Sequence, residues 1–242
     1  MTERVSFPSL DVSFKGDIRA TIYRPEGSGP FPAMVLMSGC GGIRPFNWDW
    51  ARWFTDNGYE AIVVDSFGPR HVDSVCTGGN PTPLKRAYDA YAALTYLRTR
   101  PEVDGARIGM IGWSHGGGAV LAADDEMFSK QQGVKPFKAA VALYPVCDSM
   151  PALGVAAPLL ILLGGADDWT PRFRCEDGVD RLSRAGDQVS DYVYPSATHS
   201  FDNTENVGIV RIGAQVHNLS YDAASAKDAH ARVAAFLAQA LK

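Results

Sequence analysis

Short apolar runs alternate along the chain with segments whose apolar residues recur at helical spacing, and clusters of Gly, Pro and Asp separate them. Ala33-Met34-Val35-Leu36-Met37, Glu60 to Asp65 and Leu159 to Leu163 are nearly continuous apolar runs. That is the pattern of strands buried on both faces. The strand leading into Ser114, the run Phe137 to Tyr144 and Val189 to Tyr194 add three more. Asp17 to Tyr23 instead alternates apolar and polar residues, with Ile18, Ala20 and Ile22 on one face, as in a half-exposed strand. Between these lie helical patterns. Asn47 to Asn57 carries Trp50, Trp53 and Phe54 at helical spacing and stops at Gly58. Pro83 to Arg100, a segment starting near Gly116, Arg172 to Ala185 and Asp222 to Leu241 read as further helices.

This β-then-α order predicts a mostly parallel sheet of about 7–8 strands with helices on both faces, an α/β fold occupying residues 1–242 as one domain. Ligands of such sheets bind beyond the carboxyl ends of the strands, so the chemistry is expected in the loops there. Composition narrows the classes. The 242 residues suffice for one sizeable core, and 46% hydrophobic with 21% charged residues is ordinary for a globular protein. A net charge of -4 without a Lys/Arg cluster argues against nucleic acid. No apolar run is long enough to span a bilayer. Met1-Thr2-Glu3-Arg4 opens no signal-like apolar core, so a cytoplasmic protein is expected, a monomer or small homo-oligomer acting on a small molecule.

The strand Arg107 to Trp113 runs into Gly112-Trp113-Ser114-His115-Gly116, followed by small residues suited to a helix start. Alone, this pattern could be a glycine-rich turn whose Ser caps a helix. In a strand–turn–helix context it is the signature of a nucleophile elbow, where a sharp turn thrusts the Ser Oγ out above the sheet. A nucleophilic Ser needs a His base, and the base a carboxylate to fix its tautomer. Gly164-Gly165-Ala166-Asp167-Asp168 follows the Leu159 strand, and Pro195-Ser196-Ala197-Thr198-His199 follows the Val189 strand. Ser114, Asp167 and His199 thus fall in the required order, each in a loop after a separate strand. Asp168 competes with Asp167, although it could instead cap the helix starting near Pro171. The backbone N–H of His115 is a candidate oxyanion donor. The glycine-rich loop Ser38-Gly39-Cys40-Gly41-Gly42 offers a second, the N–H of Cys40.

The four cysteines have no CxxC spacing, so no zinc site is expected. Cys40, Cys76 and Cys175 fall in loops on one rim of the sheet. They read as buried thiols, or as partners in a disulfide that would argue for an oxidising compartment. Cys40 as nucleophile is disfavoured because no elbow surrounds it.

Gly112-Trp113-Ser114-His115-Gly116-Gly117, Gly164 to Pro171, His199-Ser200-Phe201, Asp65-Ser66-Phe67-Gly68-Pro69-Arg70 and the terminal helix together resemble the dienelactone hydrolase family within the α/β-hydrolases. The likeness runs from about residue 17 to the end. It implies an α/β-hydrolase fold without a large lid, and hydrolysis of a carboxylic ester or lactone with no metal or organic cofactor. Two departures stand out. The family's namesake uses Cys as nucleophile where this chain has Ser114. It also grips a substrate carboxylate with two arginines. Arg70 stands at the first of these positions and Asn203 at the second. Arg70, Trp169, Phe67 and Trp113 are therefore the expected substrate-binding residues. Trp48, Trp50 and Trp53 are expected to pack the first helix, and His71, His217 and His230 to lie on the surface. The same triad would serve a thioesterase, lactonase or cofactor-free perhydrolase. A ligand-binding or sensor protein that keeps only the fold is the rival from another class.

Overall fold

The computed structural model describes residues 1–242. Eight strands form one sheet in the order β1-β2-β4-β3-β5-β6-β7-β8. They are β1 (Thr2–Pro8), β2 (Asp17–Tyr23), β3 (Phe31–Met37), β4 (Glu60–Asp65), β5 (Val103–Trp113), β6 (Ala139–Leu143), β7 (Leu159–Gly164) and β8 (Val189–Tyr194). β1 and β2 are antiparallel to each other, and β2 to β4, while every pairing from β4 through β8 is parallel. The result is an α/β-hydrolase fold.

The apolar runs are continuous because the sheet is covered twice. Ala33, Val35 and Met37 of β3 pack into one core layer with Ile62, Val64 and Met110. The helices on this face are α2 (Pro83–Leu97), α3 (His115–Asp124), the short α4 (Glu126–Gln131) and α5 (Phe173–Ala185). Met34 and Leu36, pointing the other way, join Ala61, Val63 and Ile111 under α1 (Pro45–Asp56) and α6 (Ala223–Ala240). Trp50 and Phe54 of α1 are fully buried there, beside Val233 and Leu237 of α6. Asp222 caps α6, its carboxylate accepting from the N–H groups of Ala224 and Ser225.

Four features depart from the sequence reading. The edge strand β1 is additional, and only one of its seven residues, Phe7, is buried. Such a strand carries little apolar signal, and pairing with β2 forms it. A second addition is the hairpin of β9 (Val207–Ile212) and β10 (Gln215–Ser220), which lies apart from the main sheet between β8 and α6. Third, all four cysteines are bonded. Cys40 is joined to Cys76, 36 residues on, and Cys175 is joined to Cys147 rather than to either of the others. Finally, His217 and His230 are not surface residues. His217 is buried, and the His230 ring stacks on Trp50 with centroids 3.7 Å apart.

The closest approach in the fold is where β5 turns into α3. A Cβ on Gly112 would run into the carbonyl of Gly116, and one on Gly116 into the carbonyl oxygens of Met37 and Ser38. Gly116→Ala should therefore push α3 off β3, at a cost of about 1–3 kcal/mol. Calorimetry should show the melting temperature lowered by several degrees for a chain of this size. An unchanged melting temperature would mean that the two elements part without strain.

Candidate active site

Ser114 sits at the turn between β5 and α3 with φ 54° and ψ -116°, a backbone conformation that L residues rarely adopt. Three hydrogen bonds hold it. Its N–H donates to Leu143 O at 2.9 Å, and its carbonyl accepts from Gly118 N at 2.9 Å and Val146 N at 3.2 Å. The end of the neighbouring strand β6, the segment after it and the first turn of α3 are thus all tied to the strained residue, and its Oγ is presented at the carboxyl end of the sheet.

There it meets the candidate base. His199 Nε2 lies 2.9 Å from Ser114 Oγ, and His199 Nδ1 lies 2.8 Å from Asp167 Oδ2. Ser114 is 8% exposed and His199 2%, so both hydrogen bonds are screened from water. Burial pushes the Asp167 carboxyl towards its neutral form. Hydrogen bonds from His199 and from the backbone of Thr170 and Trp169 outweigh that push, and its pKa lies below the ordinary value. Asp167 Oδ1 accepts from Trp169 N and Thr170 N, both at 2.8 Å. Thr170 Oγ1 donates to Asp167 Oδ2 at 2.8 Å and lies 3.0 Å from His199 Nδ1. The carboxylate is therefore fixed from three sides and stays ionised at neutral pH.

Candidate oxyanion donors flank the Ser. His115 opens α3, where the first N–H groups of a helix have no partner within it. The Cys40 N–H has no backbone acceptor, and the adjacent Gly39 packs against the Ser114 side chain. Ser114, His199, Gly39 and Cys40 line a cavity of about 230 Å³. Trp169, Phe46, Ile212 and Leu219 give it apolar walls, and the Cys40–Cys76 disulfide forms part of its rim.

Behind the cavity a buried carboxylate organises the aromatic wall. Asp202 accepts hydrogen bonds from Trp50 Nε1 at 2.8 Å, Trp113 Nε1 at 2.9 Å and the Tyr144 hydroxyl. Burial raises its pKa, and these three donors oppose the shift. One residue thereby links α1, the residue before Ser114, the end of β6 and the His199 loop.

The residues expected to bind substrate divide. Trp169 lines the cavity, its ring between His199 at 5.0 Å and His217 at 4.6 Å. Trp113 borders it with one edge, but the side chain is 1% exposed and committed to Asp202. Arg70 does not reach it. Its guanidinium forms a two-pronged pair with Asp89 (2.8 and 3.0 Å), donates to the Ser66 carbonyl and lies over Phe14. Phe67 is also away from the wall, its buried ring lying under the guanidinium of Arg86. Asn203 lines the cavity where the family's second arginine would stand. Asp168 caps no helix and instead pairs with His217 Nδ1 at 3.1 Å, tethering the β9–β10 hairpin.

Sequence reasoning missed Thr170, Asp202, the hairpin residues Ile212 and Leu219, and Arg44. Thr170 stands three residues after Asp167, a spacing that could have flagged it. Arg44 is the one Lys, Arg, Asp or Glu side chain on the cavity wall, and it forms no ion pair. No motif marks it.

The two neighbouring acids should separate cleanly in kinetics. Asp167→Asn leaves the His with the wrong tautomer and should lower kcat by about 10⁴-fold. Asp168→Asn should leave kcat within about threefold, since its carboxylate touches only the hairpin. Comparable losses in both, measured under saturating substrate, would remove the distinction.

The chain matches the Dienelactone hydrolase family over residues 18–241. Among curated proteins it is similar to a carboxymethylenebutenolidase of Pseudomonas putida, 24% identical over 235 residues that cover 90% of this chain and 93% of the relative. A probable 2-oxo-3-(5-oxofuran-2-ylidene)propanoate lactonase of Bradyrhizobium is 24% identical over 83% of this chain and 86% of its own. Among solved structures, a Klebsiella pneumoniae protein described as a dienelactone hydrolase superposes with a TM-score of 0.79 at 22% identity, covering 99% of this chain and 98% of that one. The chain belongs to the dienelactone hydrolase family of the α/β-hydrolases and is classed with its carboxylic ester hydrolases.

Proposed function

We propose that the protein hydrolyses small carboxylic esters or lactones through an acyl-enzyme on Ser114. The observation that carries this reading is the His199 ring, bridged between Ser114 Oγ at 2.9 Å and Asp167 at 2.8 Å inside a small cavity. His199 Nε2 takes the Ser114 proton as Oγ attacks the carbonyl carbon. Asp167 keeps the proton of Nδ1 in place and stabilises the imidazolium. The N–H groups of His115 and Cys40 bind the tetrahedral oxyanion, each worth on the order of 3–4 kcal/mol of barrier. His199 then protonates the departing alkoxide. In a lactone that alkoxide stays attached to the acyl group. Water, deprotonated by His199, finally releases the acid and frees Ser114.

Arg44 supports a substrate with an acidic group at the end away from the scissile bond, since an unpaired guanidinium on an apolar wall is suited to bind a carboxylate. Arg44 thus occupies the anion-binding role expected of Arg70, whose guanidinium is instead spent on Asp89. The two disulfides suit an oxidising compartment and weigh against the cytoplasmic expectation. No helix is long and apolar enough to cross a membrane.

Hydrolysis of p-nitrophenyl acetate by the wild-type protein and by Ser114→Ala tests the nucleophile. Loss of turnover to background on substitution is expected, and residual turnover close to wild type would remove Ser114 from the reaction. The acid group is tested with p-nitrophenyl hydrogen glutarate against p-nitrophenyl butyrate. Arg44→Ala should lower kcat/KM about 10-fold or more for the charged ester and leave the neutral one within about twofold. Equal effects on the two esters would count against an anionic substrate.

A further inference from the structure

Arg86 is fully buried, lies in the first turn of α2 and forms no ion pair. Asp89, one turn along, is occupied by Arg70. Burying a guanidinium without a carboxylate against it is costly, so its remaining contacts indicate what it serves. There are four. Nη2 donates to the Ser38 carbonyl at 2.7 Å and approaches Ser38 Oγ at 3.3 Å. Nη1 lies 3.0 Å from His115 Nδ1. The face of the guanidinium rests on Phe67, 4.7 Å from the ring centroid. Nε has no partner.

A guanidinium only donates, so His115 Nδ1 must be the acceptor and the ring must be neutral with its proton on Nε2. Burial, followed by the nearby positive charge of Arg86, holds the His115 pKa down to about 3, in keeping with that tautomer. Burial also draws Arg86 down to about 10, which leaves it charged at neutral pH. One cation therefore grips two segments at once. Ser38 begins the loop that carries the Cys40 N–H, and His115 is the residue whose N–H faces it across Ser114.

We propose that Arg86 is a positioning residue for the oxyanion hole, its fork fixing the Ser38 loop and the His115 residue in register and its unpaired charge favouring negative charge at the reacting carbonyl oxygen. The inference rests on the reading of Ser114 as nucleophile. In the ground state the ester carbonyl is neutral and gains little from a distant buried cation. In the tetrahedral state the oxygen is anionic, and both the aligned N–H groups and the positive potential stabilise it. A residue that acts this way changes kcat and leaves KM alone. A residue that merely holds the fold together changes stability.

Arg86→Met keeps the length of the side chain and removes charge and fork. Its kcat on p-nitrophenyl acetate should fall about 100-fold with KM within about threefold. The inhibition constant of phenylboronic acid, which forms an anionic tetrahedral adduct with the Ser, should rise by a similar factor. The melting temperature should hold or rise, because an unpaired buried cation has been replaced by an apolar group. Arg86→Lys retains the charge without the fork and should recover part of kcat. A kcat within threefold of wild type in Arg86→Met, or boronate affinity unchanged while kcat falls, would overturn the proposal. Should Arg86→Met fail to fold, His115→Leu decides: a kcat loss of at least about fivefold at constant KM is expected, and an unchanged kcat overturns the proposal. Ser114→Ala run in parallel keeps the two readings apart. If it retains wild-type turnover, the nucleophile is wrong. If it is inactive while Arg86→Met is fully active, only the role of Arg86 is wrong.

Discussion

Everything at the site depends on one steric condition, the meeting of three backbones around Ser114. β3, β5 and α3 approach so closely that residues 112 and 116 can carry no Cβ. That closeness holds Ser114 at φ 54°, a conformation that costs on the order of 1–3 kcal/mol and persists only where neighbours over-determine it. The neighbours here are Leu143, Val146 and Gly118, which bond the Ser114 backbone from both sides. The return is geometric. A nucleophile on a relaxed loop would have to be positioned at each turnover, whereas here the sheet fixes it. The same approach places the Ser38 loop beside the start of α3, so the two candidate oxyanion donors come from elements that the packing has already brought together.

Around this rigid turn the protein uses buried polar groups for alignment. Asp202 gathers two indoles and a phenol from three parts of the chain, Thr170 bridges Asp167 and His199, and Arg86 joins Ser38 to His115. None of these is a cheap way to stabilise a fold, since each takes a polar or charged group out of water. Apolar side chains would fill the space equally well. They would not hold an imidazole ring or a peptide plane in one orientation, which is what a proton transfer and an oxyanion require. The wholly structural pair Arg70–Asp89 marks the contrast. It too is buried and forked, yet it ties Ser66 and α2 together behind the sheet end and touches nothing that reacts.

The fold was legible in the sequence because strands covered on both faces must be apolar throughout, and five central strands are. The elbow and the two loops after β7 and β8 were legible because each is a short local motif. What stayed hidden has a common cause. β1 is nearly all exposed, β9 alternates exposed with partly covered residues, and β10 buries only His217 and Leu219, so pairing rather than periodicity defines them. Arg70 and Phe67 sit in a loop at the correct end of the sheet, but loop position does not reveal which way a side chain turns. Arg70 turned to Asp89 because a buried carboxylate on α2 needed a partner. The Cys40–Cys76 bond is one of the pairings the sequence left open, whereas Cys147 was not placed on the rim with Cys175, so their bond was not expected.

The choice of oxygen over sulfur at position 114 follows from the same cavity. Cys40 and Cys76 both stand on its wall and are bonded to each other, so neither offers a thiol for catalysis. The bond ties the oxyanion loop to the segment after β4, and Val75 N reinforces it by donating to the Cys40 carbonyl at 2.9 Å. A thiolate at position 114 would share this small space with a disulfide. Thiolates attack disulfide sulfur, and the exchange would both consume the nucleophile and release the loop that carries the Cys40 N–H. A serine hydroxyl cannot do this. An alcohol becomes a nucleophile only with a base beside it, and its oxygen does not attack the disulfide sulfur. Sulfur builds the wall, and an oxygen stands at the elbow.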